Sequence, residues 1–118
     1  MKKLLIYNQS KDHELSLDKM IRDRFQIENV LSINEVFKTY LFHRGVREIE
    51  NIPDVFLANL SEPTKEMIDF LKYVNTYRPT LKMVVVMESS KKMFSLKYIF
   101  KDRNIFFSEP DHLTDVLN

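Results

Sequence analysis

Cysteine is absent from the 118 residues, and glycine occurs once, at Gly45. The first absence excludes disulfides, thiolate metal sites and cysteine nucleophiles, and it fits a reducing cytoplasm. The second excludes the glycine-rich phosphate loops, because neither GxGxxG nor GxxxxGK(S/T) can be written with a single glycine. Ser61 has no flanking glycine, so a nucleophile elbow is missing too. An excess of either charge is also lacking. The 18 Lys and Arg stand against 17 Asp and Glu, a net charge of +1, too balanced for a dedicated nucleic-acid or polybasic membrane binder. No apolar run approaches the ~20 residues of a membrane span, and Leu4-Leu5-Ile6-Tyr7 is far shorter than the ~7 to 15 residues of a secretion-signal core. His13, His43 and His112 lie far apart and outside any HExxH spacing, so they read as surface histidines and no metal site is expected.

The length fits one domain over residues 1–118. Four apolar runs stand out, Leu4 to Tyr7, Val55 to Leu60, Met83 to Met87 and Ile105 to Phe107, with a weaker fifth from Asn29 to Ile33. Continuous apolarity is the habit of strands covered on both faces of a parallel sheet. Helical spacing fills the intervals. A first helix is predicted from Asp12 or His13 to Phe25, with Leu17, Met20, Ile21 and Phe25 on its inner face. Ser32-Ile33-Asn34-Glu35 offers a capping box for a second, whose face would carry Val36, Phe37, Tyr40 and Leu41 and which Gly45 would end. A third starts near Pro63 and buries Met67, Ile68, Leu71 and Val74; a fourth spans about Ser90 to Lys101; a short last one follows Pro110 and carries Leu113, Val116 and Leu117. This alternation predicts an α/β fold: a doubly wound (βα)5 arrangement with a five-stranded parallel sheet between two helical layers. Sites in such sheets lie beyond the carboxyl ends of the strands, which nominates Asn8, Gln9, Asn59, Glu88, Ser89, Ser108 and Glu109.

Those strand ends resemble a known family, the CheY-like receiver domain of two-component response regulators. Pro53-Asp54-Val55-Phe56-Leu57-Ala58-Asn59-Leu60-Ser61-Glu62-Pro63 resembles the receiver's third strand and following loop, with Asn59 where the phosphoacceptor aspartate would stand. Leu4-Leu5-Ile6-Tyr7-Asn8-Gln9 is similar to the first strand, with two amides in place of the acidic pair that holds magnesium. Val84-Val85-Val86-Met87-Glu88-Ser89 is similar to the fourth strand, with Glu88 replacing Thr or Ser. Asn104-Ile105-Phe106-Phe107-Ser108-Glu109-Pro110 is similar to the fifth, with Glu109 replacing the lysine. The resemblance covers essentially the whole chain. It departs from the family's pattern also at Met67, where a glycine is usual, and in the short last helix.

Phosphoryl transfer needs a carboxylate nucleophile, magnesium held by anionic oxygens and donors that neutralise the transferred group. The five positions Asn8, Gln9, Asn59, Glu88 and Glu109 offer none of these in the family's places. A carboxylate at Glu109, ~5 Å from a phosphate, would repel each unit of its charge by roughly 3 kcal/mol at an effective dielectric of 20. The resemblance therefore implies a pseudo-receiver: not an enzyme, without cofactor or metal. Its amides either lock one signalling state or are polar residues that drifted once catalysis was lost. A weak divalent-cation site from Glu88, Glu109 and Asn59 is a lesser alternative, Lys91 or Lys92 could neutralise a glutamate, and Asp54 lies at the wrong end of its strand to accept phosphate.

In receivers the face of the fourth helix, fifth strand and fifth helix meets partners. Met93, Leu96, Ile99 and Phe100 form one helical stripe, while Phe94 and Tyr98 lie on another flank. Phe94 and Tyr98, rimmed by Lys91, Lys97, Lys101 and Arg103, are thus the candidate protein interface. Phe106 matches the family's switch aromatic and is expected to be fixed. The resulting expectation is a cytoplasmic, phosphorylation-independent signalling domain that acts by homodimerisation or by docking a protein partner. It would bind neither nucleic acid nor membrane, and an output domain could follow Asn118. Alternatives are a small-ligand sensor using the strand-end pocket and, disfavoured by charge, a receiver phosphorylated at a non-standard residue.

Overall fold

A computed structural model describes residues 1–36 and 53–117. Phe37, Tyr40, Leu41, His43 and Gly45 lie outside the described residues. Five strands, β1 (Lys2–Asn8), β2 (Phe25–Val30), β3 (Val55–Asn59), β4 (Lys82–Val86) and β5 (Ile105–Ser108), pair in parallel in the order β2-β1-β3-β4-β5. This is the flavodoxin/CheY-like order, with its reversal between β1 and β3. The helices are α1 (Lys19–Arg24), α2 (Ile33–Glu35), α3 (Lys65–Tyr77), α4 (Ser90–Ile99) and α5 (Leu113–Leu117).

The apolar runs are buried because successive side chains point to opposite faces and both faces are covered. Leu5, Tyr7, Phe56, Ala58, Met83 and Val85 meet Met67, Phe70, Leu71 and Val74 of α3 and Met93 and Leu96 of α4. Leu4, Ile6, Val55, Leu57, Val84 and Val86 meet Ile21 of α1 and Leu113 and Leu117 of α5. Burial, and secondarily the nearby Glu66 carboxylate, pushes the Tyr7 phenol above its usual range. Helix starts follow the sequence closely. Thr64 Oγ1 accepts from Met67 N at 3.2 Å, Ser89 Oγ from Lys92 N at 3.3 Å, and Ser32 Oγ from Glu35 N at 3.4 Å.

Three elements differ from expectation. The first helix does not run from residue 12; a single 3-10 turn at Lys11–His13 and an extended stretch precede α1, which Asp18 caps by accepting from Ile21 N at 3.0 Å. Met20 is consequently exposed, and Phe25 opens β2 instead of closing a helix. The strand placed at Asn29–Ile33 is shifted to Phe25–Val30. As an edge strand it buries only Phe25 and Val30, so its sequence lacks the apolar continuity of the inner strands. In α4, Ile99 is 42% exposed and leaves the inner stripe, which Phe100 completes.

Candidate functional site

Parallel pairing sets Asn8 at the end of β1 directly beside Asn59 at the end of β3. Asn8 is 1% exposed, so its amide must be satisfied within the protein. Asn59 Nδ2 donates to Asn8 Oδ1 at 2.8 Å and to the His13 carbonyl oxygen at 2.7 Å. Asn8 Nδ2 in turn donates to Asn29 Oδ1 at 3.2 Å. A carbonyl can only accept, so His13 fixes which way the Asn59 amide faces, and Asn59 then orients Asn8. The result is a one-directional amide relay across β3, β1 and β2 that also clasps the loop after β1.

Gln9 turns the other way. Its Oε1 accepts from Ser61 N at 2.8 Å, Glu62 N at 2.9 Å and Ser61 Oγ at 3.3 Å, which holds the β3–α3 loop. A cleft of about 260 Å³ is lined by Ser10, His13, Asn59, Ser61, Glu88 and Lys92 among others. A second, of about 360 Å³, shares His13, Asn59 and Glu88 and adds Asp12, Glu14 and Asp111. Glu88 thus stands at the rim of the Asn59 site. Glu109 stands one cleft over, with Glu88, Pro110 and Asp111, and lies 4.0 Å from His112 Nε2 across the turn that Pro110 begins. The five predicted positions therefore do not all converge: Asn8 and Asn59 touch, Glu88 faces Asn59, Gln9 braces a loop and Glu109 is set aside.

Among the described residues no group of three or more His, Asp or Glu is disposed to hold a metal ion; Glu88 shares one cleft with Asn59 and another with Glu109. Lys92 pairs with Glu62 and not with Glu88 or Glu109. Asp54 is bound at the far end of β3, where its Oδ2 accepts from Lys3 N at 2.7 Å. The relay partners Asn29 and the His13 carbonyl were missed by sequence reasoning. The Asn29 signal was present only as a polar residue in a strand whose register no motif declares.

On α4, Phe94 is 73% and Tyr98 68% exposed, and Lys101 Nζ lies 4.9 Å above the Tyr98 ring. Lys91 and Lys97 are exposed beside them. Arg103 departs from the expected rim: its Nη1 reaches the end of α3, at 3.2 Å from Asn75 Oδ1 and 3.0 Å from Thr76 Oγ1. Phe106 is on the opposite face of β5 from Phe107, half-exposed, with Lys82 Nζ 5.2 Å from its ring centre; the same ammonium donates to the Val116 carbonyl at 2.7 Å. No helix among the described residues is long and apolar enough to cross a membrane.

No family model matches this chain, and no curated protein matches it. Among solved structures it is similar to the crystal structure of a provisionally named pilus assembly-related protein from Burkholderia pseudomallei, with a TM-score of 0.70 at 13% identity, covering 99% of this chain and 87% of that one. The likeness establishes the flavodoxin/CheY-like fold.

Proposed function

We propose that this chain is a receiver-like regulatory domain of the two-component type that takes up no phosphate and acts in the cytoplasm through protein–protein contact. The observation that carries this reading is Asn59, at the position where a receiver would present its nucleophile, with its Nδ2 committed to Asn8 Oδ1 and the His13 carbonyl. A carboxamide is a feeble nucleophile, and this one is already occupied. Asn8 and Gln9 supply neutral oxygens where magnesium needs anionic ones, and of the charges that line the cleft Lys92 is paired with Glu62, while the Glu88 carboxylate repels phosphate. The amides that replace the acidic residues bond one another and the neighbouring loops, which supports a pocket held in one state. The exposed Phe94 and Tyr98 support a contact surface as the working part. The pilus assembly-related name of the fold neighbour supports a role within a multiprotein assembly.

Beryllofluoride or acetyl phosphate with magnesium, followed by amide NMR and intact-mass measurement, tests the reading. Unchanged spectra at Asn8, Asn59 and Glu88, with unchanged mass, are expected. Covalent addition of one phosphoryl group, or saturable shifts at these residues, would overturn it.

A further inference from the structure

The exposed flank of α4 carries enough chemistry to narrow what it meets. Met93, Leu96 and Phe100 turn this helix onto the sheet, and Lys92 reaches Glu62 in the β3–α3 loop. At 100° per residue, Phe94, Lys97 and Lys101 then lie across the helix from Lys92, away from α3, with Tyr98 beside them. Two aromatic rings at i and i+4, both more than two-thirds exposed, form a contiguous apolar surface of the kind that supplies interface anchors. The charge on the helix itself has one sign, with the exposed Asp102 just past its end. Lys91, Lys97 and Lys101 surround the rings, and no acidic residue occurs from Ser90 through Lys101. The Lys101 ammonium over Tyr98 joins the charged and aromatic parts into one patch.

That distribution bears on the choice between a second copy and a different protein. A two-fold contact with this lysine cluster on its axis would bring like charges together, which disfavours binding, whereas an acidic segment of a different protein meets the cluster with opposite charge wherever it docks. A long polyanion or an anionic membrane is matched poorly as well, since three lysines on a chain of net charge +1 give no extended positive field. We infer that the α4 flank docks an acidic segment of another protein, with an apolar side chain against Phe94 and Tyr98 and carboxylates on Lys97 and Lys101. This rests on the protein-contact reading above and names the chemistry of the partner.

The probe is a short synthetic amphipathic peptide of Asp, Glu, Leu and Phe, titrated into the isotope-labelled chain and followed by amide NMR. Saturable shifts are expected over residues 91–101, with affinity that falls as salt rises. Phe94→Ala and the double variant Lys97→Glu, Lys101→Glu should each weaken binding by about tenfold, the size of a modest interface hot spot. Both changes are at exposed positions, so thermal unfolding should stay unaltered. Equal binding of a peptide with Lys in place of Asp and Glu would overturn the inference. So would stronger α4 shifts with phosphatidylserine vesicles or a single-stranded oligonucleotide, no saturable shift at all, or Phe94-dependent self-association in sedimentation. A silent α4 with an unreactive Asn59 sinks only the partner chemistry, whereas phosphate uptake near Asn59 sinks the reading on which it rests.

Discussion

A carboxamide differs from a carboxylate by its two N–H hydrogens, and at position 59 both have acceptors: Asn8 Oδ1 and the His13 carbonyl. Placing an aspartate there is therefore not a neutral change. In Asn59→Asp a carboxylate oxygen would face the His13 carbonyl with no proton between them, and Asn8 would have to reverse its amide and abandon Asn29. Asn59 is half-buried, so the cost should sit toward the low end for a buried unsatisfied group, about 1 to 2 kcal/mol at neutral pH. Protonation would return one donor, so the variant's carboxyl should titrate above the usual ~4, and its penalty should shrink as pH falls through that raised value. Urea unfolding of both chains at neutral and mildly acidic pH measures this. Equal stability throughout would show that the relay contributes nothing. The amides of this site were legible because Asn8 and Asn59 close two uninterrupted apolar runs. Asn29 was not, because β2 is a half-exposed edge strand whose register with β1 is set only in three dimensions.

Helix ends are written in the sequence where a local cap decides them and hidden where a distant group does. Thr64 and Ser89 start α3 and α4 with their own hydroxyls, and both helices were placed to within two residues at their starts. The first helix was overextended because Leu17, Met20, Ile21 and Phe25 fall at helical spacing, but the residues before Asp18 are used as a loop, with the His13 carbonyl held by Asn59 and α1 delayed until Asp18. Asp18 joins two elements. One carboxylate oxygen accepts from Ile21 N in α1 and the other from the Thr114 hydroxyl in α5. The Thr114 hydroxyl first, and the Ile21 N–H after it, hold this carboxyl below the usual carboxylate range. A lowered folded value means stabilisation that is fully present above the unfolded value of ~3.9 and is lost as pH falls through the folded one. Asp18→Asn keeps a cap oxygen and removes the charge. Its stability should lie below that of the parent at neutral pH, and the gap should close under acid. Parallel acid-unfolding curves, with a constant gap down to the lowest pH measured, would show that the ionised carboxylate has no part in joining α1 to α5.

Across the whole molecule, the order of apolar runs made the parallel sheet readable, but not the inequality of its two covering layers. On one side α3 and α4 bury Met67, Phe70, Leu71, Val74, Met93 and Leu96. On the other, α1 and α5 bury only Ile21, Leu113 and Leu117. Each fully buried side chain of this kind contributes about 1.5 to 3 kcal/mol, so among the described residues the buried side chains of α1 and α5 supply roughly half the apolar stabilisation of those of α3 and α4. Sequence could not show this, because it assigned α1 twice its length and counted Met20 as core, where the folded chain exposes it. Regions with few buried apolar contacts open without global unfolding. Native-state hydrogen exchange should find the amides of Lys19–Arg24 and Leu113–Leu117 exchanging through a partial opening, while those of β1, β3, β4 and α3 exchange only with the whole. The Asp18–Thr114 contact bridges the two short helices, so they should open as one unit. Thr114→Val should split them, with α5 gaining exchange first because Leu113, Leu117 and the partly buried Val116, with the Lys82 ammonium on the Val116 carbonyl, then hold it. Protection in α5 equal to that of β4 would refute the unequal-layer picture. Such protection would also imply that the β5–α5 side of the molecule is as rigid as its centre.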